Sequence, residues 1–329
     1  MRVIRLSISD ELPRFLYDAA LYKGDSIRLH PTVVSMLGNA RDLRFEDMFG
    51  TFESAYVSPW LQLPTLTTFS AVRFTIREIY MIQDFALTAL HLQWCRIHPE
   101  TFVMLLQSCK CLTTLTHRTG DYADGRSMSD DIGWIESEDV IGPILEHVPA
   151  LRKLYLYYTV NDIVNTYSRY TPFPGTKSWN SLSKLSQLSL LDIDARLVFG
   201  ADKIPDSTQW SLAELTRMLP PPVSTLKLCY FGFRLQEEYR SFLKIPGLYP
   251  QLRCICIYNV TEYFYTAALL EDMRRKFRAV GVKFKYCLCH HRNQKEHIAE
   301  YDSDAVYPRD FPLHKTGYDG GEGTIKSID

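Results

Sequence analysis

The 329-residue sequence has no long apolar run, few punctuating residues (16 Gly and 17 Pro) and almost no net charge, with 37 Lys+Arg against 38 Asp+Glu. Each shortage excludes something. No stretch reaches the roughly 18 uninterrupted apolar residues that a membrane span needs. The opening MRVIRLSISDELPRF carries Arg2, Arg5, Asp10 and Glu11 where a secretory leader has its apolar segment, so no leader is expected. A net charge of −1 excludes a domain that is basic throughout and held on nucleic acid by phosphate contacts. Scarce Gly and Pro, with 46% hydrophobic residues, exclude a low-complexity or wholly disordered chain. Phosphate loops and nucleophile elbows are missing too: no Gly-x-x-x-x-Gly-Lys, no Gly-x-Gly-x-x-Gly after a strand and no Gly-x-Ser-x-Gly occurs.

Residues with reactive side chains are present but poorly arranged for catalysis. Without a leader the eight cysteines are expected to be reduced thiols of the cytoplasm or nucleus, and Asn259-Val260-Thr261 matches a glycosylation sequon by chance. Cys287-x-Cys289-His290-His291, with His297 downstream, has zinc-ligating residue types, but structural zinc sites pair C-x₂₋₄-C with a second, distant pair. Two core residues sharing one strand face is the simpler account, and Cys109-x-Cys111 and Cys254-x-Cys256 have the same spacing. No metal or other cofactor is expected. His117 stands where an inward leucine belongs; it reads either as half of a buried Cys–His pair with Cys95 or as a satisfied core histidine, the commoner case. No third orienting group can be named, so the chain is expected not to be an enzyme.

The positive signal is a repeat. Leu87-x-x-Leu90-x-Leu92, Leu151-x-x-Leu154-x-Leu156, Leu185-x-x-Leu188-x-Leu190, Val223-x-x-Leu226-x-Leu228 and Leu252-x-x-Ile255-x-Ile257 share one spacing. Weaker copies centre on Leu43, Phe69, Leu115 and Val282, giving nine middle anchors about 30 residues apart on average. Leu6-x-Ile8 and Ile27-x-Leu29 read as degenerate units. In a strand, residues two apart share a face, so each Leu-x-Leu aims two side chains at one core. A single unit cannot bury that face alone, so units must stack. Helical patterns lie between: Pro99 opens 99–108, Ser211-x-x-Glu214 is a capping box, and 264–280 is amphipathic and ends near Gly281.

Strand plus helix at this period, with phrases such as LRKLYLYYTV and LSKLSQLSLLDID, resembles the leucine-rich repeat region of fungal F-box-type proteins. The resemblance covers roughly 40–285. It implies an α/β solenoid, a horseshoe with short parallel strands on the concave face and helices on the convex one. For function it implies a protein-interaction module and, more narrowly, a substrate receptor of ubiquitin ligation. The sequence departs from the family at two points. Only Cys95 fills the Asn/Cys position of the consensus, and Leu12-Pro13 with Phe15-Leu16 only echoes the opening of an F-box, so the resemblance does not extend to a Skp1-type adaptor partner.

A partner would meet the variable positions that flank the inward leucines, among them His91, Lys153, Tyr155, Tyr157, Lys227 and Tyr258. Tyrosine is enriched in hot spots and also in ordinary half-exposed sheet faces, and both readings stay open. The insertions offer a second surface. Segment 119–139 has a net charge of −6, including Asp121, Asp124, Asp130 and Asp131, and the next two insertions carry Tyr170, Trp179 and Trp210. These loops either receive a basic peptide or are merely solvated. Segment 273–295 has eight bases and no acid, which supplies the alternative of nucleic-acid association; a solvated last helix capping the solenoid is the plainer reading. The organisation is therefore an N-terminal cap over 1–39, a solenoid over 40–295 and a polar, Gly-rich tail over 296–329 expected to be disordered. The expected partner is a protein, not nucleic acid or a membrane.

Overall fold

The repeated Leu-x-Leu pairs form a ladder of parallel strands. A computed structural model describes residues 3–8, 20–23, 26–29, 35, 37–47, 58–72, 75–76, 84–93, 95–120, 137–159, 179–194, 212–229, 243–261 and 267–289. In chain order the elements are β1 (Val3–Ile8), β2 (Ala20–Lys23), β3 (Ser26–Leu29), β4 (Asp42–Asp47), α1 (Ser58–Leu61), β5 (Thr68–Val72), β6 (Thr75–Ile76) and β7 (Ala89–Gln93). Then come β8 (Arg96–Ile97), α2 (Pro99–Ser108), β9 (Thr114–Gly120), α3 (Ser137–His147), β10 (Lys153–Thr159) and a 3₁₀ helix (Trp179–Lys184). The chain continues through β11 (Leu190–Asp194), α4 (Leu212–Met218), β12 (Thr225–Cys229), α5 (Ile245–Leu248), β13 (Cys254–Thr261), α6 (Ala267–Ala279) and β14 (Lys283–Cys289). Ten strands form one sheet in the order β1-β4-β5-β7-β9-β10-β11-β12-β13-β14, every pair parallel. This is the α/β solenoid of stacked units that the resemblance to leucine-rich repeats implies.

The core lies between this sheet and the helices. Leu43, Phe69, Leu90, Leu115, Leu154, Leu191, Leu226, Ile255 and Phe284 occupy one register position and are all buried. Phe102, Leu105, Ile141, Ile144, Leu215, Leu270, Met273 and Phe277 meet them from the helical layer in a single continuous cluster. Each such side chain contributes about 1.5–3 kcal/mol by leaving water. Helix α2 starts with Pro99 after an extended His98, where a missing N–H costs nothing, and buries Phe102, Leu105 and Leu106 at helical spacing. Helix α6 ends in a Schellman turn: Gly281 has φ +78°, Val282 N donates to Phe277 O at 2.9 Å, and Gly281 N donates to Arg278 O at 3.0 Å.

One carbonyl per repeat ties each unit to the next. Thr67, Thr88, Thr113, Arg152, Ser189 and Ser224 stand two residues before their strand's middle anchor, and the carbonyl of each accepts two successive backbone N–H groups from the following repeat. The hydroxyls of Thr88, Thr113, Ser189 and Ser224 add a third bond, at 3.0–3.2 Å, to the carbonyl of the preceding repeat. This hydroxyl ladder lies at the start of each strand, whereas the Asn/Cys position of the consensus follows the strand. Where the consensus residue survives, the Cys95 thiol donates to Ala71 O at 3.2 Å.

Four sequence expectations are corrected. The sixth anchor is Leu191 and not Leu188: Leu182, Leu185, Leu188 and Leu191 recur every three residues, so spacing permits either register, and the structure pairs Leu191 with Leu154 and Leu226. The last anchor is Phe284 and not Val282, because the Schellman turn shortens the step into β14. The repeat unit in β1 is Ile4-x-Leu6, aligned with Leu43 and Phe45, while Ile27–Leu29 belongs to an antiparallel β2–β3 hairpin. Cys109 and Cys111 do not share a strand; Cys109 is the buried C-cap of α2 and Cys111 lies exposed in the turn after it. The position of Ser211 in its capping box and the tail from 290 onward lie outside the described residues, as does the start of the predicted 264–280 helix.

The register can be tested directly. Leu191→Ala should lower the unfolding free energy of the full chain by about 2–5 kcal/mol, the range for a buried leucine, whereas half-buried Leu190→Ala should cost less than about 1.5 kcal/mol. Denaturant midpoints of the two variants measure this; the reverse order would restore the Leu188–Leu190 register.

Candidate functional site

The sheet face turned away from the helices is where the variable positions collect. Register places Arg44, Ser70, His91, Thr116, Tyr155, Asp192, Lys227, Cys256 and Lys285 side by side in one row across nine strands. At about 4.8 Å per strand the row runs roughly 38 Å. A second row, two residues earlier, holds Asp42, Lys153, Leu190, Cys254 and Lys283. Beyond the central row Gln93, Arg118 and Tyr157 align. Among the described side chains of this face Arg44, Arg118, Lys153, Lys227, Lys283 and Lys285 are cations, against Asp42 and Asp192 as acids.

Electrostatics differ along the row. His91 Nδ1 and Thr116 Oγ1 are 2.8 Å apart, and burial together with the Arg44 guanidinium pushes the imidazole down to about 4, so His91 is neutral at pH 7. At the centre sits Asp192, only 1% exposed. Burial raises its carboxyl to about 6, opposed by the Lys227 ammonium and the Tyr157 hydroxyl. Lys227 Nζ is 3.9 Å from Oδ2, an ion pair too long for a hydrogen bond, and neither oxygen makes a well-formed hydrogen bond even with the Tyr157 hydroxyl acting on it. Burial and the Asp192 charge raise the neighbouring Tyr155 phenol. A buried carboxylate held among two tyrosines and a lysine is stabilised poorly by its own fold.

No family model matches the chain, and no curated protein matches it. Among solved structures it is similar to the leucine-rich repeat-containing protein LegL7 from Legionella pneumophila, at 16% identity over 82% of this chain and 79% of that one, with a TM-score of 0.42. The role of the open face therefore rests on its own residues.

Of the residues expected to contact a partner, the structure brings His91, Tyr155 and Lys227 into the central row and sets Lys153 and Tyr157 on either side of Tyr155. Tyr258 is opposite Cys229 on the same sheet, its side chain outside the description. Trp179 opens the 3₁₀ helix, while Asp121, Asp124, Asp130, Asp131, Tyr170 and Trp210 lie outside the described residues. The position that spacing missed is Asp192: with the repeat centred on Leu188, Ser189 takes its place on the face. The sign was LSLLDID itself, where Leu191-x-Ile193 is an equally good inward pair.

Elsewhere the chemistry is plain core. The buried His117 ring lies 5.4 Å from Phe102, burial drives it down to about 4, and the Cys95 thiol is committed to Ala71 O. Among the described residues no group of three or more His, Cys, Asp or Glu could hold a metal, and no helix is long and apolar enough to cross a membrane. His290, His291 and His297 lie outside that description.

Asp192 should show its cost in a pH titration of stability. Its folded value, about 6, exceeds the ordinary 3.8. Below pH 4 it is protonated folded or unfolded and costs nothing. As pH rises through 6 the folded chain must ionise it in a buried place, a penalty of up to about 3 kcal/mol above that pH. Asp192→Asn should therefore stabilise the chain at pH 7.5 by up to that amount, less whatever the lone Lys227 charge then costs. The gain should vanish by pH 4. Denaturation curves at the two pH values check it, and an equal gain at both would mean Asp192 is not ionised at neutral pH.

Proposed function

We propose that the chain is a non-enzymatic protein-interaction module of the cytoplasm or nucleus whose open sheet face holds an acidic segment of a protein partner. The observation that carries this reading is the face itself: helix-free among the described elements, about 38 Å long, with six cations against two acids among its described side chains and Tyr155 and Tyr157 at its centre. Opposite charge would steer encounter and fix register, and the tyrosines would supply buried contact area at low entropic cost. The residues assigned to contact are His91, Lys153, Tyr155, Tyr157, Lys227 and Tyr258. The insertions with Asp121, Asp124, Asp130, Asp131, Tyr170, Trp179 and Trp210 are proposed as a second contact for the same partner.

A role as substrate receptor in ubiquitin ligation is a narrower form of this proposal, resting on the resemblance of the leucine phrases. The nucleic-acid alternative relied on the bases of 273–295. In the structure α6 supplies three of them with acids: Arg274 lies 3.5 Å from Glu271, and Arg275 and Lys276 lie 3.1 and 2.8 Å from Asp272. That pairing favours the solvated-helix reading of the stretch.

The test is a photo-crosslinking residue in place of Tyr155 in the full chain, with adducts identified by mass spectrometry. A protein adduct through an acidic segment is expected, reduced at least about tenfold by Lys153→Glu/Lys227→Glu/Lys285→Glu. Removing 121–136 should lower recovery further, and unchanged recovery would take that insertion out of the site. A protein adduct indifferent to the triple reversal would overturn the reading. So would an adduct to nucleic acid alone, retained at low salt and lost steeply at moderate salt. Co-recovery of a Skp1-type adaptor and a cullin would carry the ubiquitin-ligation form; their absence from a captured complex would remove it.

A further inference from the structure

Cys254 and Cys256 stand two residues apart on β13, so both thiols leave the same face of the sheet, and their sulfurs are 3.5 Å apart. Cys256 is buried and Cys254 is half-buried, so Cys254 is the more accessible of the two. The flanking strands surround the pair with ammonium groups. Register sets Lys283 beside Cys254 and Lys285 beside Cys256 on β14, and Lys227 beside Cys256 on β12. No acid aligns with either thiol on the two neighbouring strands, where the register partners are Thr225, Lys227, Lys283 and Lys285. An accessible sulfur with a second thiol in contact and cations on both sides is the arrangement in which thiolate forms readily and is resolved by a neighbour.

The geometry points to a peroxide-reactive dithiol on the open face, with Cys254 as the attacking sulfur, Cys256 as the resolving one and a small hydroperoxide as the oxidant. The proposal goes beyond the partner-binding reading and does not depend on it. The first step forms an S–O bond at Cys254 and breaks the peroxide O–O bond; the leaving hydroxide or alkoxide takes up a proton. In the second, the Cys256 sulfur attacks the Cys254 sulfenic acid. The S–S bond forms, the S–O bond breaks, and the Cys256 proton leaves with the hydroxyl as water. Two thiols lose two electrons and one peroxide gains them. Either thiol can donate across the 3.5 Å contact; a hydrogen bond from Cys256 to the Cys254 thiolate, with Lys285, Lys283 and Lys227, draws Cys254 down to about 7. Residues i and i+2 of a strand lie about 6.7 Å apart at Cα, near the upper limit for a disulfide. The product is therefore strained and easily reduced, as a reversible modification requires.

Trypsin cleaves after Arg253 and Arg274, which puts both cysteines in one peptide of the full chain. Treatment with one equivalent of hydrogen peroxide at pH 7 should yield that peptide lighter by two hydrogen atoms, and dithiothreitol should restore it. In Cys256→Ser, dimedone should trap a sulfenic acid at Cys254; in Cys254→Ser neither product should form. Cys111, exposed in the turn after α2, serves as the internal comparison. Thiolate fraction and the lower nucleophilicity of an acidic thiol together give Cys254 about a threefold faster oxidation than an ordinary exposed cysteine. Lys283→Gln/Lys285→Gln should remove that advantage. Oxidation of Cys254 no faster than Cys111, or a wild-type chain that stops at sulfenic acid with Cys256 intact, would overturn the assignment.

Discussion

The carbonyl two residues before each middle leucine is the hinge on which the architecture turns. Arg41, Thr67, Thr88, Thr113, Arg152, Ser189, Ser224 and Arg253 each accept from the next repeat at the moment its strand begins. All but the last accept two successive N–H groups there. This fixes the parallel register before any side chain is compared, because a one-residue slip would break the pair of bonds and turn every inward leucine outward. It also makes the units interdependent. No repeat satisfies its own strand-start carbonyl, as none buries its own leucines, so stability resides in the interfaces between units.

Register in turn composes the open face. Side chains from strands dozens of residues apart become neighbours because they hold the same position relative to that carbonyl: Thr116 beside His91, Asp192 between Tyr155 and Lys227, Cys256 between Lys227 and Lys285. The near-zero net charge of the chain hides this segregation. Four of the six face cations, Lys153, Lys227, Lys283 and Lys285, come from β10, β12 and β14, the later half of the sheet.

The leucine spacing made the fold legible because burial demands it at every unit. It located the row through β10 and β12, where Leu154-x-Leu156 and Leu226-x-Leu228 allow one register only. It failed where leucines are too many or a turn intervenes. In LSKLSQLSLLDID a three-residue recurrence accommodates two alignments, and the wrong one removed Asp192 from the face. At β14 the left-handed Gly281 shortens the connection, so counting back from Phe284 meets no apolar residue at the usual three-residue step. The thiol pair was legible as a spacing, but its chemistry was not: Lys283, Lys285 and Lys227 lie 27 or more residues from the nearest cysteine of the pair, and only the register brings them together.

The one acid in the central row bears on how the lysines act. Lys227 and Lys285 flank Cys256 on adjacent strands, and without a counter-charge their mutual repulsion would favour swinging one of them outward. The buried Asp192 carboxylate, 3.9 Å from Lys227, holds that ammonium down on the sheet. Its aligned neighbours on either side, Tyr155 and Lys227, leave it without a well-formed hydrogen bond. The fold thus accepts an ill-solvated carboxylate at the centre of the face, and in exchange one of the cations flanking the thiol pair is positioned before any partner or oxidant arrives.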